Sequence, residues 1–160
     1  MEDAQKTIEK EAETNLYKNK VHWTLTHSYF FYFFMFLIGF FFELIFPLKI
    51  FKDSIAIHFG AILILAGTVL IFWAQKTSRN LKKDEVTFLK GPYKITRSPT
   101  HWGLFLLMLG FSFIANALFV IISTLISFIV AKFIFLKKEE LILENKYGEL
   151  YKEYKKSVKF

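Results

Sequence analysis

The chain contains no cysteine. Disulfides, thiolate nucleophiles, palmitoylation and cysteine-based metal sites are therefore excluded for it. Proline is scarce, and its three copies each mark a boundary. Pro47 stops an apolar run, Gly91-Pro92 signals a turn, and Pro99 biases Ser98 away from helix. Histidine is also sparse, and the spacing of His22, His27, His58 and His101 suggests no metal site. Charge is missing over long stretches, whereas the first twenty residues carry it throughout, so no cleavable signal peptide is visible.

What is present is apolar mass. The 160 residues are 54% hydrophobic and include 21 Phe, far more than a soluble core of this size needs. These residues come in blocks rather than amphipathic stripes, which indicates an integral membrane protein. Net charge is +7, gathered at the ends and in one loop. That distribution fits anionic lipid head groups and not a nucleic-acid footprint. Residues 1–22 form a polar N-terminal extension, in which Met1, Ile8, Ala12 and Leu16 make a thin stripe at roughly helical spacing, expected to be a surface helix or a loose tail. Residues 23–160 form a single membrane domain.

The pattern predicts an all-α chain with four transmembrane helices. The first runs from about Ser28 to Phe46, roughly 28 Å of helix, and a connector from Leu48 to Asp53 follows. The second runs from Ile55 to Trp73. The third, Trp102 to Ala115, is short at roughly 21 Å. Asn116 breaks the run, and the fourth spans Ala117 to Leu136. A basic amphipathic tail helix occupies 137–160. The 75–100 loop carries Lys76, Arg79, Lys82, Lys83, Lys90, Lys94 and Arg97 against Asp84 and Glu85. The positive-inside rule then folds 102–136 into a hairpin at Asn116 and places both termini in the cytoplasm.

That hairpin brings two polar segments together. The first is Gly91-Pro92-Tyr93-Lys94-Ile95-Thr96-Arg97-Ser98-Pro99-Thr100-His101-Trp102-Gly103. Trp102 suits an interface anchor and Gly103 a close backbone approach. The second begins at Glu139-Glu140. Leu143, Tyr147, Leu150, Tyr151, Tyr154 and Val158 recur there at helical spacing. Gly148 falls inside that helix at a cost of about 1 kcal/mol, which suggests packing against another element or a ligand. The plainer alternatives are a loop whose Arg97 meets lipid phosphate and an interfacial helix. Glu43 is an intramembrane acid close to Pro47, expected to reach the interface. His58 is expected to be structural.

The two segments, in this order around a membrane hairpin, resemble the isoprenylcysteine carboxyl methyltransferase family and the related phospholipid N-methyltransferases, over residues 55–160. The resemblance implies S-adenosylmethionine as cofactor and a lipophilic or lipidated acceptor entering from the membrane. Tyr93, Arg97, Pro99, His101 and Gly103 match the first motif. Glu139, Glu140, Tyr147, Gly148, Tyr151 and Tyr154 match the second. Of these, Tyr93 to Gly103, Glu139, Glu140, Tyr147 and Gly148 are the implied cofactor contacts, and Arg97, His101 and Glu140 the catalytic candidates. Ser98, His101 and Lys159 depart from the usual His or Asn, Tyr and Arg. Carboxylates can accept hydrogen bonds from the ammonium and ribose hydroxyls of such a cofactor, and Arg97 can hold a carboxylate. A carboxylate acceptor needs no base; an amine would, and His101 is the candidate. Carboxyl O-methylation leads, and phospholipid N-methylation follows. A nicotinamide-dependent membrane reductase and a non-enzymatic membrane adaptor complete the alternatives. The reductase would call for more arginines than Arg79 and Arg97.

Overall fold

The computed structural model describes residues 2–51, 53–79 and 87–158. Lys52, Lys82, Lys83, Asp84, Glu85 and Lys159 lie outside the described residues, as do the side chains of the stripe Met1, Ile8 and Ala12. The described chain is all helical, with no strand among the described residues.

Helix α1 spans Glu2–Ile45 without a break. The polar extension is thus helical and its helix continues into the first membrane segment. The reason is local: residues 2–22 are rich in Glu, Lys and Ala, which are strong helix formers. Polarity there reports solvent, not a change of backbone. Helix α2 spans Asp53–Arg79 and likewise runs past Trp73, because the drop in hydropathy marks an interface and not a helix end. Two 3₁₀ turns, Thr87–Leu89 and Gly91–Lys94, lead to α3, Pro99–Ile114. Pro99 is the first residue of α3, where its missing N–H costs nothing, so this helix starts three residues before the expected Trp102. Helix α4 spans Leu118–Ala131 and passes through a π-helical turn, Lys132–Leu136, into α5, Lys137–Tyr147.

The expected single tail helix is broken. Gly148 has φ +55° and ψ −128°, a region closed to side-chain-bearing residues. Helix α6, Glu149–Ser157, starts after it. A Cβ on Gly148 would meet nothing within 4 Å. This glycine therefore serves a backbone turn, and the packing expected of it is not seen.

Three helical stretches are long and apolar enough to cross a membrane: Asn19–Ile45, Ser54–Arg79 and Leu118–Tyr147. Helix α3 is a shorter apolar helix of 16 residues. Most large apolar side chains point outward, Phe30, Phe33, Phe41, Leu65 and Phe72 among them. That is the arrangement lipid allows and water penalises. The helix contacts are lined instead by small or hydroxylated residues, including Ala56, Ala74, Ala131, Ser28, Ser112, Thr124 and Ser127. Ser112 and Ser127 donate to their own helix, to Met108 O and Ser123 O, each at 2.6 Å.

Helix α3 packs along α2 and α4 along α1, and the α3–α4 contact joins the two pairs. The α2–α3 seam is a glycine contact. A Cβ on Gly110 would lie 2.6 Å from Gly60 O, and one on Gly103 would lie 2.5 Å from Ile71 Cγ1 and 3.0 Å from Gly67 O. The α3–α4 turn holds Asn116 at φ +50°. Asn116 Oδ1 accepts from Ile50 and Phe51 N–H at 3.3 and 3.1 Å, and its Nδ2 donates to Phe51 O at 2.8 Å. The two turns at this end are thereby pinned together. Glu43 joins them, accepting from Leu48 N–H at 3.1 Å and from Phe119 N–H at 3.0 Å. It caps the start of α4, whose first N–H groups have no partner within the helix. His58 is exposed and bonds the Ser54 carbonyl of its own helix at 2.6 Å.

Candidate active site

The site lies at the opposite end, where α3 begins and α5 leaves the span. Pro92 is buried and its carbonyl accepts from Ile95 and Thr96 N–H at 3.0 and 3.1 Å. This tight turn presents Arg97 just before α3. Across from it, Arg97 Nη1 meets Glu140 Oε1 at 2.7 Å, with the side chains 20% and 19% exposed. The other oxygen of Glu140 meets Lys155 Nζ at 3.1 Å, and Lys155 also lies 3.5 Å from Glu144. One carboxylate on α5 thus ties together the 91–98 turn and α6.

The paired acids diverge. Glu140 faces Arg97, whereas Glu139 Oε2 lies 3.7 Å from His101 Nε2, too far for a hydrogen bond. His101 is 2% exposed. Its Nδ1 lies 3.3 Å from Ser28 Oγ, and the Tyr29 and Tyr32 rings flank it. This histidine is buried among α1, α3 and α5.

A cavity of about 260 Å³ opens beside Arg97. Its polar lining is Arg97, Ser98, Lys132, Lys137 and Glu140; its apolar wall is Tyr32, Trp102, Phe128, Phe133 and Leu136. Four of these residues come from the π-turn and its edge. One extra residue in a turn rotates all that follows by about 100° relative to a regular helix. The register of Glu140 on α5 is set there.

The sequence-predicted residues therefore separate into groups. Arg97 and Glu140 line the cavity together. His101, buried, and Glu139, one-fifth exposed, lie beside it and do not line it. Gly103 sits in the α2–α3 seam, and Pro99 is buried at the head of α3. The tyrosines form a third group. Phe88 packs edge-on against Tyr147 and Tyr151 and tilted against Tyr154, at ring separations of 5.1, 5.1 and 4.8 Å, and Tyr154 donates to Tyr93 O at 2.6 Å. This cluster docks α6 against the 91–94 turn. Burial raises the Tyr93 phenol, helped by the charge of Glu139, while a bond with Thr100 lowers it. Tyr151 and Tyr154 are also raised, chiefly by burial. Sequence reasoning missed Tyr32, Lys132 and Phe133. Lys132 carried a signal, as the first charge after a long apolar run.

With this geometry in view, the comparison with known families is decisive. The family model described as phospholipid methyltransferase matches residues 55–150, more than half the chain. The protein belongs to the phospholipid methyltransferase family. That family sits within a group of membrane methyltransferases that includes the isoprenylcysteine carboxyl methyltransferases. The match begins within α2 and ends in α6, and so covers the 91–98 turn, both acids and every cavity-lining residue except Tyr32. Comparison with curated proteins and with solved structures gave no match. Family membership favours methyl transfer over the reductase and adaptor readings.

Proposed function

We propose that this protein transfers a methyl group from S-adenosylmethionine to a carboxylate on a lipophilic, isoprenylcysteine-like acceptor at the cytoplasmic membrane face. In this reading α3 completes a fourth crossing and both termini are cytoplasmic. The supporting observation is the cavity lining: Arg97, Lys132 and Lys137 against one carboxylate, Glu140, and no histidine among the described lining residues.

The residues present fit such a cofactor. Its carboxylate suits Arg97, its ammonium and ribose hydroxyls suit Glu140, and the faces of Trp102, Phe128 and Phe133 suit a cation. The cavity volume approaches the ~300 Å³ lower end of ligand pockets. When bound, S-adenosylmethionine supplies a sulfonium methyl; the acceptor oxygen bonds that carbon, the carbon–sulfur bond breaks, and sulfur keeps the electron pair. The chain's own part is positioning. Arg97 and Lys155 fix the Glu140 carboxylate, and the aromatic wall excludes water. An anionic oxygen needs no proton removed, so His101, buried outside the cavity, is not required as a base.

Phospholipid N-methylation is the second reading, favoured by the description of the matching family. An amine acceptor must lose a proton. Among the described lining residues Glu140 alone could take it, and Glu140 already holds two cations. The carboxylate acceptor therefore leads. Incubating purified protein with methyl-labelled cofactor and a lipid extract tests the proposal. Label should enter a lipid fraction, and Arg97→Ala or Glu140→Ala should lower that at least about tenfold, roughly 1.4 kcal/mol. An unlabelled extract together with no calorimetric cofactor binding contradicts it.

A further inference from the structure

The turn that carries Arg97 has two faces. Phe88, Pro92, Thr96 and Ser98 are buried, whereas Leu89, Lys90, Lys94 and Ile95 are exposed. The inner side has its partners: Phe88 packs on the α6 tyrosines, Tyr93 O accepts from Tyr154, and Arg97 meets Glu140. The outer side carries two large apolar side chains into the open. Ile95 is 68% exposed and Leu89 43%, and both lie outside the apolar helices, where lipid tails would cover them.

Helix α2 fixes the height of this turn against the bilayer. Gly91, at φ +56°, lies so close to Thr77 that a Cβ would overlap the Thr77 hydroxyl. Thr77 is four residues past Trp73, about 6 Å of helix rise. Trp73 is half-exposed, as an interfacial anchor is. The outer side of the turn therefore stands at head-group level. The last turn of α2 adds Lys76 and Arg79, both exposed. Among the described residues no carboxylate lies within ion-pair distance of Lys76, Arg79 or Lys94, and the ion pairs of α5 and α6 run to Arg97, His101, Lys152 and Lys155.

Exposed aliphatic side chains set among exposed cations suit a boundary that is apolar on one side and negatively charged on the other. Nucleic acid would match the cations and leave Leu89 and Ile95 in water. We infer that the outer side of the 89–95 turn, with Lys76 and Arg79, docks onto anionic phospholipid head groups of the surrounding bilayer. Leu89 and Ile95 enter the interface, and the cations meet the phosphates above it. The lipid then holds from outside the same turn that Glu140 holds from inside, and Arg97 lies between the two. The docking does not rest on the reading given under Proposed function.

The chain has no cysteine, so Ile95→Cys gives a single attachment point for a polarity-sensitive fluorophore. The labelled full-length protein is reconstituted in vesicles of phosphatidylcholine alone or with about one-third phosphatidylglycerol. Quenching by lipids spin-labelled at the head group measures the ratio of docked to undocked turn. That ratio should be at least about fivefold higher in the anionic vesicles, the worth of one cation at such a surface. Salt at about 1 M should bring the two membranes within about twofold. Lys94→Gln should lower the ratio about fivefold in anionic vesicles and leave it unchanged in neutral ones. Lys20→Gln is the control for general charge: Lys20 is exposed on α1, over the Tyr17 ring, and its loss should change the ratio less than about 1.5-fold. The salt arm uses no charge variant, so a folding defect in Lys94→Gln does not decide the outcome. A label quenched equally in the two membranes overturns the inference and leaves the patch to a soluble acidic partner. A preference for anionic lipid that survives high salt or Lys94→Gln, or that Lys20→Gln lowers as much as Lys94→Gln, also overturns it. Docking without methyl transfer to any acceptor would defeat the methyl-transfer reading alone. Methyl transfer without docking would defeat this inference alone.

Discussion

Glu140 is held by two cations, and that arrangement makes its removal asymmetric with removal of Arg97. The Arg97–Glu140 contact is 2.7 Å long and both side chains are about one-fifth exposed. Opposite charges at ~4 Å between charge centres gain about 4 kcal/mol at an effective dielectric of ~20. Solvent access lowers this, and losing one partner of such a pair costs about 2 kcal/mol at the low end of the measured range. Glu140→Gln removes the 2.7 Å carboxylate contact of Arg97 and takes one of two carboxylates from Lys155, so we expect cofactor affinity to fall about 30-fold. Arg97→Met leaves Glu140 with Lys155 at 3.1 Å, and the loss should be about 1 kcal/mol, roughly fivefold. In the double variant both ends of the contact are removed together. Its loss should match Glu140→Gln alone and fall short of the sum by about 1 kcal/mol. Calorimetric titration with S-adenosylmethionine in one detergent measures all four proteins, with thermal unfolding as the check on folding. Strictly additive losses, or an unchanged Glu140→Gln, would refute the idea that this pair builds the cofactor site.

Two glycines should fail for different reasons. Gly148→Ala meets no atom but forces a strained φ, costing about 1–3 kcal/mol locally, and limited proteolysis should cut the α6 region faster. Gly110→Ala drives a Cβ to 2.6 Å from Gly60 O and should lower global thermal stability by about 1–3 kcal/mol without exposing α6. Glu43→Ala removes the acceptor for Leu48 and Phe119 N–H; unfolding in detergent should show a loss of about 1–2 kcal/mol. The docked tail should also report on alkali. The Tyr93, Tyr151 and Tyr154 phenols are raised above the ordinary 10.0, chiefly by burial. Their contribution is complete below the unfolded pKa of ~10 and is lost as pH rises through the folded values. Tyrosinate absorbance should therefore lag that of the unfolded chain, and Tyr154→Phe should weaken α6 docking by about 1 kcal/mol at neutral pH.

Much of the frame was legible because lipid imposes a coarse code. Apolar blocks marked the three long apolar helices and the shorter α3, and Pro47 and Asn116 marked helix ends. The nearness of the 91–103 segment to Glu139 and Glu140 followed from the hairpin. What stayed hidden depends on backbone detail. Residues 2–22 look like a tail by polarity, yet Glu, Lys and Ala favour helix, so α1 simply continues. Gly148 reads as a packing glycine, since composition does not reveal a positive φ. The π-turn at 132–136 has no compositional mark, and without it the direction in which Glu139 and Glu140 point, and the cavity lining, cannot be anticipated. Gly103 was read correctly as permitting close approach, but the neighbour is the backbone of α2. Tyr32 lies far along the chain in a phenylalanine-rich run, where its hydroxyl stands out only once the fold brings it to the cavity.

The central claim is methyl transfer to a lipidic carboxylate, and the chemical lability of the product tests it directly. The protein, reconstituted in vesicles, is supplied with methyl-labelled S-adenosylmethionine and two amphiphiles of equal chain length, one ending in a carboxylate and one in a phosphoethanolamine. A methyl ester is cleaved by mild alkali and releases its label as volatile methanol; an N-methyl group is not. The account predicts label in the carboxylate amphiphile, released by alkali and abolished by Glu140→Gln. Alkali-stable label in the phosphoethanolamine amphiphile alone would contradict it.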